Sequence, residues 1–72
     1  MAKKTITLAK ELEFNTENEY FDYMIDSHVN GNFTQCRNLF NAMKKEDRKI
    51  FIMYISDREE LKAIRNFYFE LL

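Results

Sequence analysis

Apolar residues recur along this chain in blocks with helical spacing. Tyr20, Phe21, Met24, Ile25, His28 and Val29 form one broad stripe on a helix. Thr16-Glu17-Asn18-Glu19 stands ahead of it as a capping box, in which the Thr16 hydroxyl accepts a backbone N–H and Glu19 reaches back. The stripe stops at Asn30-Gly31, the one glycine of a chain without proline. Glycine readily takes the left-handed conformation that closes a helix. Asn32 is then the predicted cap of a second helix, with Gln35 as its reciprocal partner. Phe33, Cys36, Leu39, Phe40 and Met43 mark its buried side, and Lys44 and Lys45 fall in its predicted last turn, where cations suit the helix dipole.

Ile50 to Ile55, IFIMYI, is an unbroken apolar run that periodicity alone does not type. With Glu46-Asp47 as an acidic first turn, it reads as a short helix over 46–55, apolar nearly all round and therefore central. As a strand it would pair with ITLAKELEF, where Ile6, Leu8, Leu12 and Phe14 share one parity. Ser56-Asp57-Arg58-Glu59 is a further capping box and starts the last helix, whose stripe is Leu61, Ile64, Tyr68 and Leu71. Phe67 falls at the flank of that stripe and Phe69 outside it, which makes both candidates for contact with a second copy. The expected architecture is all-α: a compact bundle of three to four short helices over 16–72, preceded by an irregular N-terminal arm over 1–15.

Seventy-two residues make one domain near the lower size limit for a single core, where self-association often adds what the core lacks. One cysteine closes no intrachain disulfide, and His28 and Cys36 are single representatives of their kinds, so no metal set is expected and no cofactor. The start of the chain has no long apolar core, so neither a signal peptide nor a membrane span is expected, and the cytoplasm is the expected compartment. Catalysis is not expected either. His28 lies beside an apolar stripe rather than next to a nucleophile, and Cys36 on a core face behaves as a small hydrophobe.

Charge divides the chain more sharply than its net of −1 suggests. From Glu11 to Cys36 there are six acids and no Lys or Arg, while Arg37 to Arg65 holds eight basic and five acidic residues. Either the two halves complement one another within the fold, or they face charged partners. Glu19, Asp22, Tyr23 and Asp26 lie opposite the first stripe, a like-charged row holding an aromatic of the kind enriched at interfaces, and are the predicted partner-binding residues. Lys44, Lys45, Arg48 and Lys49 are the alternative, a corner for nucleic-acid phosphates. LAKELEFNTENEYFDYM has a faint helix-turn-helix pattern, but Glu17, Glu19, Asp22 and Asp26 would repel a phosphate backbone.

Asp26-Ser27-x-x-Asn30-Gly31-x-x-x-Gln35, then Leu39-Phe40, Glu46-Asp47-Arg48 and Phe51 resemble a pattern in uncharacterised small helical proteins of phages and mobile elements of low-GC bacteria. The abundance of Phe, Tyr, Met, Ile, Asn and Lys, residues with AT-rich codons, agrees with such an origin. The resemblance implies an origin and no activity. The expectation is a non-enzymatic protein-binding module, a homodimer that modulates or inhibits a host protein in the host cytoplasm; the alternative is a small nucleic-acid-binding regulator.

Overall fold

The computed structural model describes residues 2–72, and among them the regular elements are all helical, joined by short turns and one isolated backbone bridge. The elements are α1 (Thr5–Glu11), α2 (Glu17–Val29), α3 (Phe33–Ala42), α4 (Lys45–Ser56) and α5 (Lys62–Phe69), with a 3-10 turn over Glu59–Leu61 leading into α5. The all-α class is as expected; five α-helices replace the expected three to four.

The fifth helix comes from the segment expected to be irregular. Thr5, Leu8 and Ala9 of α1 are buried against the other helices. Two backbone hydrogen bonds, Lys3 N–H to the Ala42 carbonyl and Lys44 N–H to the Lys3 carbonyl, tie the chain start to the turn between α3 and α4. Asp47, on α4, accepts the Thr5 N–H at 2.7 Å and so caps α1 from another helix. The Thr5 hydroxyl lies 3.4 Å from the Met43 sulfur. Residues 2–15 are part of the domain and not an arm, because Lys3 and Thr5 are held by contacts about forty residues distant.

Two helices end in the same way on different residues. At the end of α2, Asn32 N–H reaches the Ser27 carbonyl and Gly31 N–H the His28 carbonyl, with Gly31 at φ 77°. At the end of α1, Phe14 N–H reaches the Ala9 carbonyl and Glu13 N–H the Lys10 carbonyl, with Glu13 at φ 66°. Both are Schellman closures, and the second places a glutamate where glycine is preferred. A left-handed residue with a Cβ costs roughly 1–2 kcal/mol. Nothing lies within 4 Å of where a Cβ at Gly31 would stand, so Gly31→Ala meets only that backbone cost and should destabilise by about 1 kcal/mol. Glu13→Gly should stabilise by roughly 0.5–1 kcal/mol, part of the relief being lost to the freer unfolded chain. Urea titration of both variants checks the pair. Shifts of the same sign would contradict these closures.

Other helix starts depart from expectation. Thr16 caps α2 as predicted, accepting Glu19 N–H at 3.3 Å. Asn32 holds the N-cap position of α3, but its side chain donates to the Gln35 side-chain oxygen Oε1 at 3.1 Å instead of accepting a backbone N–H. Ser56 is the last residue of α4, and its hydroxyl donates back to the Ile52 carbonyl at 2.6 Å, so the predicted box there does not form. IFIMYI is helical but not central: Phe51, Ile52 and Ile55 are buried, whereas Ile50 and Met53 are exposed.

The core gathers Tyr20, Phe21 and Met24 of α2, Cys36 and Phe40 of α3, Met43, the buried face of α4, and Ile64 and Tyr68 of α5. Tyr68 is its hub. Its ring lies 4.8 Å from Phe51 and 5.3 Å from Phe40, and its hydroxyl donates to the Met24 carbonyl at 2.8 Å. The Cys36 thiol is fully buried and points at the same carbonyl. Burial drives the Tyr68 phenol far above its ordinary pKa and Tyr20 up to about 12, Glu11 and Tyr23 adding to the latter. Tyr20 donates to the Leu39 carbonyl at 2.9 Å, so both phenols stay protonated donors.

Candidate interaction surfaces

Helix α2 turns Tyr20, Phe21 and Met24 inwards, which leaves Glu19, Asp22 and Asp26 exposed as one row. Tyr23 does not belong to it. The ring is half-buried, edge-on to Phe14 at 5.6 Å, and the Gln35 amide donates to its hydroxyl. Tyr23 thus fastens the α1–α2 loop and α3 to α2, and the expectation of a free aromatic contact fails there. The aromatic that accompanies the acids comes from α4, and it is also half-buried, with its ring 5.2 Å from Phe21. The Tyr54 hydroxyl donates to Asp22 at 3.1 Å, and the Arg58 guanidinium lies over the Tyr54 ring at 5.0 Å. Tyr54 falls in the apolar run expected to be central, which hides it from the sequence pattern. The signal available was its distance from Phe51 and Ile55 around the helix, which turns it towards the flank.

The basic corner is rearranged as well. Helix α3 stops at Ala42, Met43 is extended and buried, and Lys44 and Lys45 are the N-cap and first residue of α4. They stand at the positive end of a helix, contrary to the expected last turn of α3. Arg48 is committed to the fold: it donates to the Met43 and Asn41 carbonyls at 2.9 and 3.0 Å and lies over the Phe40 ring. Lys44, Lys45 and Lys49 are exposed.

Among the described residues the one ion pair joins Lys3 to Glu11. The acidic and basic segments therefore do not neutralise one another by direct pairing there. No pocket opens, no group of His, Cys, Asp and Glu is placed to hold a metal, and no helix is long and apolar enough to cross a membrane, again among the described residues. No family model, curated protein or solved structure matches the chain.

Phe67 and Phe69 separate. Phe69 is 55% exposed, while Phe67 is half-buried among His28, Phe33 and Tyr68, with ring centroids 5.0, 5.5 and 5.2 Å away. Phe67 is thereby largely spent on the fold, and Ile50 and Met53 join Phe69 as exposed apolar side chains.

His28 sits edge-on between the Phe33 and Phe67 rings, and partial burial lowers its pKa from the ordinary 6.5. The unfolded chain, with a histidine of normal affinity, holds more protons in the window just below 6.5. Stability is therefore complete above that value and is lost as pH falls through it towards the lowered folded pKa. Urea titrations between about pH 5.5 and 7.5 should show this loss, and His28→Phe should flatten it, since carboxylates titrate lower. An unchanged slope in His28→Phe would assign the effect to another group.

Proposed function

We propose that this chain is a small protein-binding module without chemistry of its own, encoded by a phage or mobile element, and that it modulates or inhibits a host protein through the acidic face of α2. The observation that carries this reading is the exposed row of Glu19, Asp22 and Asp26, joined by Tyr54 from α4. Like charges at these spacings cost a helix a few tenths of a kcal/mol each. Asp26 stands in the last turn of α2, where the negative end of the dipole also disfavours it. Asp22 has a bond from Tyr54, and Glu19 lies in the favourable first turn of α2. Folding alone still gives no reason for Asp26 or for the row as a whole, whereas a basic partner surface does. A homodimer belongs to the same reading, supported by the exposure of Ile50, Met53 and Phe69.

The test compares wild type with Asp22→Asn/Asp26→Asn as bait in lysate of the native host, followed by kinetics on the retained protein. The variant should fold at least as well, associate at least tenfold more slowly, and lose less in high salt, where steering is screened. Tyr54→Ala should instead speed dissociation. Sedimentation at micromolar concentration should give twice the 8.8 kDa chain mass. A partner held equally by the acidic variant, and lost from Lys44→Ala/Lys45→Ala, would move the interface elsewhere.

A further inference from the structure

Lysines that are far apart in sequence meet at one place on this surface. The paired backbone bonds between Lys3 and residues 42–44 set Lys3 and Lys4 beside Lys44 and Lys45. Lys49 lies one turn further along α4, on the same side as Lys45. All five side chains are exposed, and among the described residues only Lys3 has a carboxylate partner. Of the acids nearby in sequence, Asp47 is held by the Thr5 N–H, which leaves Glu46 against Lys4, Lys44, Lys45 and Lys49.

Such a cluster has no evident structural purpose. Lysines in a last helical turn are stabilised by the dipole, but Lys44 and Lys45 stand at the start of α4, where the dipole opposes them. The bridge brings the backbone of Lys4 to the same neighbourhood. The positive charge is concentrated in spite of the fold.

We infer that this lysine face binds the phosphate backbone of duplex nucleic acid without reading its sequence. Compact ammonium groups on flexible stems contact phosphates as point charges. A protein partner is less suited, because interfaces deplete lysine and favour aromatics and arginine, and the one arginine here is bonded to carbonyls of its own chain. A bilayer is also less suited. An interfacial helix turns its apolar face to the lipid, whereas α4 buries Phe51, Ile52 and Ile55 in the core. The inference rests on residues separate from the acidic row, so the two readings stand or fall apart.

Fluorescence anisotropy with two labelled DNA duplexes of unrelated sequence, about twenty base pairs each, tests it. Both should bind alike, and with four lysines the affinity should fall about a hundredfold between 50 and 200 mM salt. Lys44→Gln/Lys45→Gln should lower the slope of log K against log salt by about two. Lys4→Gln should lower it by about one, which follows only if the bridge joins the two ends of the patch. Asp22→Asn/Asp26→Asn should leave the slope as it is. Circular dichroism of each variant keeps loss of fold distinct from loss of contact. No duplex binding at 50 mM salt would overturn the inference. So would a slope indifferent to Lys4 and the Lys44–Lys45 pair, or the same lysines binding only phosphatidylserine vesicles.

Discussion

Tyr68→Ala is expected to bring the domain close to unfolding at room temperature, while Tyr68→Phe leaves it folded. The ring is fully buried and packs among Phe40, Phe51 and Phe67, so it joins α5 to α3 and α4. Truncating a buried aromatic to alanine costs about 3–5 kcal/mol. A chain of this size has roughly 4–11 kcal/mol in total, at about 0.05–0.15 kcal/mol per residue. In thermal melts the alanine variant should lose about 12–40 °C, at roughly 4–8 °C per kcal/mol. Removing the hydroxyl alone forfeits one hydrogen bond, about 0.5–1.5 kcal/mol, and the Met24 carbonyl it leaves stays within a helix. Equal losses in the two variants would place the worth of Tyr68 in its hydroxyl and contradict the packing described.

The second large effect concerns the start of the chain. A protein beginning at residue 16 should not fold, whereas an irregular arm would be dispensable. Truncation uncovers the sites of Thr5, Leu8 and Ala9, removes the ring of Phe14 from Tyr23, and frees the Asp47 carboxylate and the backbone groups of residues 42–44. Leu8 alone is worth about 2–4 kcal/mol by comparison with other buried leucines, so the sum approaches the whole stability. Circular dichroism and urea titration of residues 16–72 should show no cooperative transition. Leu8→Ala in the full chain should lower stability by about 2–4 kcal/mol. A truncated chain that melts cooperatively near the wild-type temperature would restore the arm.

Much of the helical order was legible because it is local. Thr16 and Gly31 act within a turn of their own position, and their chemistry is the same in any helix. The closure at Glu13 was hidden because nothing in the residue announces it; packing of Leu8, Ala9 and Phe14 outweighs a cost of one or two kcal/mol. Ser56 misled in the opposite way, since a hydroxyl that can cap a helix start can also bond the carbonyl one turn behind it.

The surface was less legible than the core for a related reason. Moving the end of α3 from Lys45 to Ala42 changes no buried residue, yet it moves Lys44 and Lys45 from a favourable helix end to an unfavourable one. Tyr23 and Tyr54 exchanged places because helical angle says which way a side chain leaves its own helix and not what meets it. The acids of α2 were placed correctly, as their exposure follows from the stripe opposite. The meeting of Lys3 with Met43 depends on a contact forty residues apart, which no pattern along the chain encodes.

Cys36 gives the molecule an internal clock for its own opening. The single thiol is wholly buried, beside the Met24 carbonyl of α2 that Tyr68 of α5 also bonds, so a thiol-specific reagent reaches it only when the core around it opens. At low reagent concentration the labelling rate measures how often the open form is populated, as amide exchange does for a backbone group. The native chain therefore reports the free energy of opening that part of the core without any denaturant. Agreement of that value with the urea-derived stability would mean that the core around Cys36 opens only when the whole domain does.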